Sequence, residues 1–387
     1  MYLKIYGLFL RLLQWNISLF YTKTEPHIII GSSAGTNVNG NSKALFMYMT
    51  SACTPIKGHF ITRNKSLYKE FSTTYPNYFL YAYSFKSLFK VVTAKAYVIT
   101  HGPWDITPFK ITKTKKPLIN VWHGFPIKKL GTDGQNLTKK QKKKVLGNFD
   151  GLVVMSEEEK IHMSRCYHTK LENTWVTGYP RNDFTFYQNN DVIKQIPYIK
   201  GKKVLLYAPT WRDVGKTKLF PFENFNSKEL TNFLEANNAI VLLRIHKNEL
   251  RNHNLEESNV MRVCDGNVVQ EINELLPFVD ILITDYSSVY IDQLLVDKPM
   301  VFIPYDLEEF SKIRGFNYDF NTVAPGPKVG NFTEFTTAIK NYLENPMLDS
   351  TERERIKNKF HKYQDNQSAK RVYENIESII NGKAIKY

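Results

Sequence analysis

The sequence predicts an α/β fold made of two doubly wound parallel sheets, and three observations point to it. Short β-rich runs alternate with helical stretches along the chain, the order of strand, crossover helix and parallel strand. The pattern lapses over residues 187–202 and then restarts, so a second sheet follows the first. At 387 residues the chain also exceeds the usual size of one domain.

Residues 1–21 are strongly apolar, yet Lys4, Gly7, Arg11, Gln14 and Ser18 recur at intervals of three and four, which places them on one stripe of a helix. Arg11 interrupts the run of about 20 apolar residues that a membrane crossing needs. The segment 1–25 therefore reads as a helix lying in a membrane interface, with packing on its own domain as the alternative. No small-residue cleavage site follows it, which argues against secretion. Strands are expected at 27–31, 58–62, 96–100, 117–121, 151–155 and 174–177, within a domain over 26–190. A second set at 203–208, 239–245, 280–284 and 299–303, with helices at 228–237, 288–296 and 335–343, fills a domain over 191–365. Helices at 350–363 and 367–380 end the chain, and the segment 366–387 is expected to pack back on the first domain.

The net charge of +15 is unevenly placed: residues 1–190 hold 26 Lys+Arg against 10 Asp+Glu, and the remainder is near neutral. Such a field draws polyanions, whether nucleic acid, anionic lipid or a pyrophosphate substrate, and a solvated basic face also fits. Cys53, Cys166 and Cys264 lie far apart without metal-ligand spacing, so neither a disulfide framework nor a zinc site is expected, and a reducing cytoplasm suits them. The sequence has no Walker loop, no GxGxxG after a strand and no HExxH, which disfavours kinases, dehydrogenases and metallohydrolases; no metal ligand is assigned.

Chemistry concentrates at strand ends, where open α/β sheets bind ligands. The segment Asn120-Val121-Trp122-His123-Gly124-Phe125-Pro126-Ile127-Lys128 follows one buried strand. His123 is a candidate general base there, with Lys128 and Lys129 favouring an anion; a histidine at a strand end also serves structure alone. Arg244 and His246 end a strand of the second set and share a side by alternation, a pair able to neutralise a phosphoryl group or protonate a leaving phosphate. An ion pair and a surface histidine would explain them equally. In Thr284-Asp285-Tyr286-Ser287-Ser288 a strand turns into a helix start, where backbone N–H groups and the Ser287 and Ser288 hydroxyls can meet phosphate and Asp292 can meet ribose hydroxyls. Plain helix capping is the alternative. Thr210-Trp211-Arg212 and Arg181-Asn182-Asp183 each bring an Arg to a proline-fixed turn.

Taken in order, these segments resemble the CDP-glycerol glycerophosphotransferases, the wall teichoic acid primases and polymerases. The likeness rests on Asn39 to Phe46, WHG-x-P-x-K-x-x-G at Trp122 to Gly131, GYPRND at Gly178 to Asp183, YAPTWR at Tyr207 to Arg212, RIH at Arg244 to His246, TDYSS at Thr284 to Ser288, KPMVFIPYD at Lys298 to Asp306, and RGF with PGP at Arg314 to Phe316 and Pro325 to Pro327. Phe125 stands where the family commonly has Thr, Lys247 where Pro often follows the histidine, and Thr100 to Asp105 departs from the common text. The resemblance implies a GT-B-like fold, two Rossmann-like domains facing a central cleft, with catalytic histidines at His123 and His246. It implies donor contacts at Thr210, Arg212, Arg244, Asp285, Ser287, Ser288 and Asp292, with Arg181 and Lys128 nearby, and no metal or cofactor. The expected reaction moves glycerol phosphate from CDP-glycerol to a hydroxyl of a lipid-linked, undecaprenyl diphosphate acceptor and releases CMP, in the synthesis of teichoic acid or a related surface polymer. Peripheral attachment to the cytoplasmic face of the membrane is implied too, with Lys4, Arg11, Lys139, Lys140, Lys142, Lys143 and Lys144 toward lipid and acceptor. CDP-ribitol transfer, a nucleotide-sugar glycosyltransferase for capsule, and a basic nucleic-acid-binding protein are the rival readings; the last explains the charge but not the motifs.

Overall fold

Among the described residues, twelve short strands form two sheets, and every pairing between these strands is parallel. This computed structural model describes residues 2–21, 23–111, 116–134, 138, 149–210, 212, 217–245 and 256–385. The first sheet has the order β3-β2-β1-β4-β5-β6-β7, from β1 (His27–Ile30), β2 (Lys57–Thr62), β3 (Phe79–Tyr81), β4 (Ala96–Ile99), β5 (Leu118–Asn120), β6 (Gly151–Val154) and β7 (Thr174–Val176). The second has the order β10-β9-β8-β11-β12, from β8 (Lys203–Ala208), β9 (Ala239–Leu243), β10 (Met261–Val263), β11 (Ile281–Thr284) and β12 (Met300–Phe302). The central strands β1, β4, β9 and β11 are buried at every position, because helices cover both faces. The sequence reading lacked β3 and β10, three-residue strands at the sheet edges, where one neighbour suffices and a continuous apolar run is not required.

The chain splits into two compact units, one of Met1–His123, Thr138–Asp183 and His361–Tyr387, the other of Gly124–Leu137 and Phe184–Phe360. The expected domains were continuous in sequence; these units are not. Residues 124–137 join the second unit because Lys128 pairs antiparallel with Phe316, and Asn317 bonds across the same segment: its N–H donates to the Ile127 carbonyl at 2.8 Å and its amide to those of Pro126 and Lys128 at 2.7 and 2.8 Å. The last helix, Ser368–Ile380, belongs to the first unit, where it packs on the helix Gly40–Ser51. Asp183 receives the Ser368 and Ala369 N–H groups, both at 2.9 Å, which fixes that helix's start.

The first helix, Tyr2–Phe20, packs on the helix Phe85–Thr93, and Gly7, Arg11 and Gln14 of its polar stripe meet the segment 108–110, while Lys4 is exposed. Gly7 is buried where a Cβ would sit 3.1 Å from Pro108, Arg11 Nε donates to the Pro108 carbonyl at 3.0 Å, and Gln14 exchanges two hydrogen bonds with the Lys110 backbone. Tyr2, Ile5, Leu8, Leu12, Trp15, Leu19 and Phe20 are exposed. No helix among the described residues is long and apolar enough to cross a membrane.

In a doubly wound sheet ligands gather beyond the carboxyl ends of the strands where the order reverses. That point is β1/β4 in the first sheet and β8/β11 in the second.

Candidate active site

In the first unit, β5 ends in a turn whose backbone is strained. Trp122 has φ +59°, a left-handed conformation that a bulky residue adopts only when its surroundings impose it. Asn120 accepts the Trp122 N–H at 2.8 Å. From the helix Gly40–Ser51, the buried Asn41 amide donates to the Val121 and Trp122 carbonyls at 2.7 and 3.1 Å, and its oxygen accepts the Arg181 N–H at 3.1 Å. Arg181 in turn donates to the His123 carbonyl at 2.8 Å. Three segments remote in sequence thus hold one histidine.

The His123 ring lies parallel to that of His101, with centroids 4.1 Å apart and 5° between planes, and Trp122 flanks it at 4.3 Å. His123 Nδ1 is 3.2 Å from the Thr100 carbonyl oxygen. A carbonyl only accepts, so Nδ1 carries the hydrogen and Nε2 keeps the lone pair, the tautomer a general base needs. Burial and then the neighbouring His101 push the His123 pKa down to about 4, so the ring is neutral at physiological pH, while the residue retains an accessible face. Asp105, fully buried, organises the loop: its carboxylate accepts the N–H groups of Ala34, Thr100 and His101 at 2.7, 2.8 and 2.8 Å, and the Thr100 hydroxyl at 3.1 Å. Sequence reasoning gave no role to Asn41, His101 or Asp105; the signals were the motif Asn39 to Phe46 for Asn41 and the unusual text from Thr100 to Asp105 for the other two.

In the second unit a cavity of about 1030 Å³ opens at the carboxyl ends of β8 and β11. Its walls include Thr210, Arg212, Ser287, Ser288 and Lys128, so the structure gathers five of the expected residues, with Lys218, Asp306 and Arg314 added. Thr210 Oγ1 is buried with no partner among the described residues. Ser288 stands at the start of the helix Val289–Gln293 without a side-chain cap bond, so its hydroxyl is not spent on capping. Arg212 is held by carboxylates: Asp306 grips Nε and Nη2 at 3.0 and 2.9 Å, and Asp285 meets Nη2 at 2.9 Å. Burial works against the charge, but these two acids outweigh it and hold the guanidinium's pKa above its ordinary value. The rings of Tyr286, Tyr305 and Phe310 surround it at 4.9 to 5.3 Å.

Asp285 thereby differs from its expected role: it is buried, accepts the Thr210 and Tyr286 N–H groups at 2.8 and 2.6 Å, and positions Arg212 from behind the cavity wall. Asp292 is 1% exposed and is not among the lining residues, so it belongs to the interior. Arg244 also turns inward, donating from Nη1 to the carbonyls of Cys264, Asp265 and Val269 and from Nη2 to that of Gln270, which ties β9 to the loop after β10. Phe125 is core, packed on Phe360 and Tyr318 at 4.6 and 5.6 Å. Arg11 faces the loop at Pro108, while Lys4 is exposed. His246 and Lys139, Lys140, Lys142, Lys143 and Lys144 lie outside the described residues.

A family model for CDP-Glycerol:Poly(glycerophosphate) glycerophosphotransferase matches residues 13–378. The chain belongs to this family. It is 29% identical over 379 residues to the teichoic acid glycerol-phosphate transferase of Staphylococcus aureus, covering 90% of this chain and 92% of that protein. It is 32% identical over 360 residues to the teichoic acid poly(glycerol phosphate) polymerase of Bacillus spizizenii, covering 85% and 87%. Among solved structures, the wall teichoic acid polymerase TagF superposes with a TM-score of 0.76 at 21% identity, over 95% of this chain and 93% of that one, which establishes the shared GT-B-like fold. Membership makes the chain a glycerophosphotransferase, as its motifs implied.

Proposed function

We propose that this glycerophosphotransferase moves glycerol phosphate from CDP-glycerol to a hydroxyl of a lipid-linked acceptor, releasing CMP, in teichoic acid synthesis. The observation that carries the reading is the cavity at the β8/β11 switch point, where the orphaned Thr210 hydroxyl, the uncommitted Ser288 hydroxyl and a cluster of cations suit a diphosphate. Arg212 is fixed in place, so Lys128, Lys218 and Arg314 supply the remaining positive charge on that wall.

In the proposed reaction His123 Nε2 takes the proton of the acceptor hydroxyl as its oxygen attacks the phosphorus bearing glycerol. The bond from that phosphorus to the bridging oxygen breaks, and CMP departs with the electron pair. The groups described do this by positioning and charge neutralisation.

The outward apolar residues of Tyr2–Phe20 support attachment of the enzyme to a lipid surface, where a lipid-linked acceptor is found.

Incubation with CDP-glycerol and a lipid-linked disaccharide tests the assignment. CMP release should fall on the order of 100-fold or more in His123→Ala, with CDP-glycerol still protecting the protein against thermal unfolding. Wild-type turnover in that variant would remove His123 as the base; protection by a nucleotide sugar in place of CDP-glycerol would favour a glycosyltransferase.

A further inference from the structure

We propose that His101 is a positioning residue for the transfer: it stacks on His123 and, through Thr100 and Asp105, fixes that ring with Nε2 presented to the acceptor. The inference rests on the proposed role of His123 and deepens it.

Both imidazoles hang from one residue. The Thr100 hydroxyl lies 3.1 Å from a carboxylate oxygen of Asp105 and 3.4 Å from the Ser32 hydroxyl, and we assign its hydrogen to the carboxylate, the stronger acceptor. The hydroxyl's lone pair then accepts from His101 Nδ1, 2.7 Å away. The Thr100 carbonyl accepts from His123 Nδ1. Two parallel rings therefore share one tautomer, with Nδ1–H on Thr100 and a bare Nε2 on each. Asp105 makes the arrangement rigid, because the same carboxylate gathers three backbone N–H groups of the loops after β1 and β4. Gly31 belongs to this device: a Cβ there would stand 2.6 Å from the Asp105 carbonyl oxygen.

Two rings stacked this closely resist carrying two charges, so a proton on one opposes a proton on the other. The charged and titratable groups around His123 are His101 and Asp105 from the segment after β4 and Arg181 from the segment after β7. Tyr167 meets the flanking Trp122 at 5.1 Å. Of these, His101 and Arg181 oppose protonation of His123 and Asp105 favours it. Burial lowers the pKa of His101 as well, with Asp105 opposing the shift. As pH falls, a charge on His101 delays protonation of His123 and keeps the base available further into acid.

The test uses the full chain. In His101→Phe, which keeps an aromatic face but cannot titrate, the acidic limb of the kcat/KM profile for CMP release should move to higher pH. In His101→Ala, kcat should drop on the order of 10-fold to 100-fold through misorientation of the base, with CDP-glycerol affinity unchanged. An unshifted limb together with wild-type kcat in both variants would overturn the proposal. Independently of activity, histidine ring nitrogen NMR on the wild-type protein should show Nδ1–H tautomers for both residues and a coupled titration. An Nε2–H tautomer at His123 would sink the idea even if the variants misfold. If wild-type protein released no CMP while the NMR signature held, the reaction assignment would fail and the paired geometry would stand.

Discussion

Asn41 shows how a single residue sets the turn that carries His123. Its amide makes two donations to consecutive carbonyls of a left-handed turn and one acceptance from the Arg181 backbone, all inside the protein. Removing it leaves buried carbonyls and an N–H without partners, a loss of about 2–4 kcal/mol. Asn41→Ala should therefore lower Tm and CMP release together, and calorimetry alongside turnover checks it; normal turnover with normal Tm would show that the turn holds itself. Motif text made Asn41 visible, yet not its role, because Val121 and Arg181 are far away in sequence. The same distance hid Asp306, which reaches Arg212 across 94 positions. The places of His123, Ser287 and Ser288 at strand ends were legible because strand order alone places such ends at ligand sites.

At the level of elements, β1 and β2 carry a pair of buried histidines apart from the His101–His123 pair. His27 and His59 meet edge to face at 5.1 Å, and His27 Nε2 lies 2.9 Å from the Lys90 carbonyl. Burial, then the charges of His27, Lys90 and Lys86, push the His59 pKa down to about 4; burial also lowers that of His27. A depressed folded pKa means the unfolded chain binds more protons between about pH 6.5 and pH 4. The stability these rings contribute is complete above that window and is lost as pH falls through it, on the order of 3 kcal/mol for His59. His59→Phe should flatten the decline of Tm across the window in thermal melts, and a decline as steep as wild type would refute the attribution. The strands themselves were legible as apolar runs. β3 and β10 were not, since three residues at an edge, one of them the half-exposed Arg262, give too little pattern to read.

For the molecule as a whole, the proposed attachment to a lipid surface rests on the first helix. Its period was readable from sequence; which side turns outward was not, because that depends on the Pro108 and Lys110 carbonyls that receive Arg11 and Gln14. With Arg11 and Gln14 bonded inward, Phe20 at 87%, Tyr2 at 79%, Ile5 and Trp15 at 62% and Leu12 at 55% exposure form an apolar face that water does not favour. A lipid interface covers such a face without breaking the inward bonds, and the Lys4 ammonium on the same helix suits anionic headgroups. Replacing Leu12, Trp15 and Phe20 together by Ser should release the protein from anionic vesicles in co-sedimentation, by 10-fold or more at about 1.4 kcal/mol per decade. CMP release with a water-soluble acceptor should persist, because none of the three lines the cavity at β8 and β11 or stacks on His123. Arg11→Ala probes the same helix from its inner side: losing the bond to Pro108 should loosen the helix from the loop and weaken vesicle binding less than the triple change does. Vesicle binding by the triple variant equal to wild type would assign the attachment to another surface.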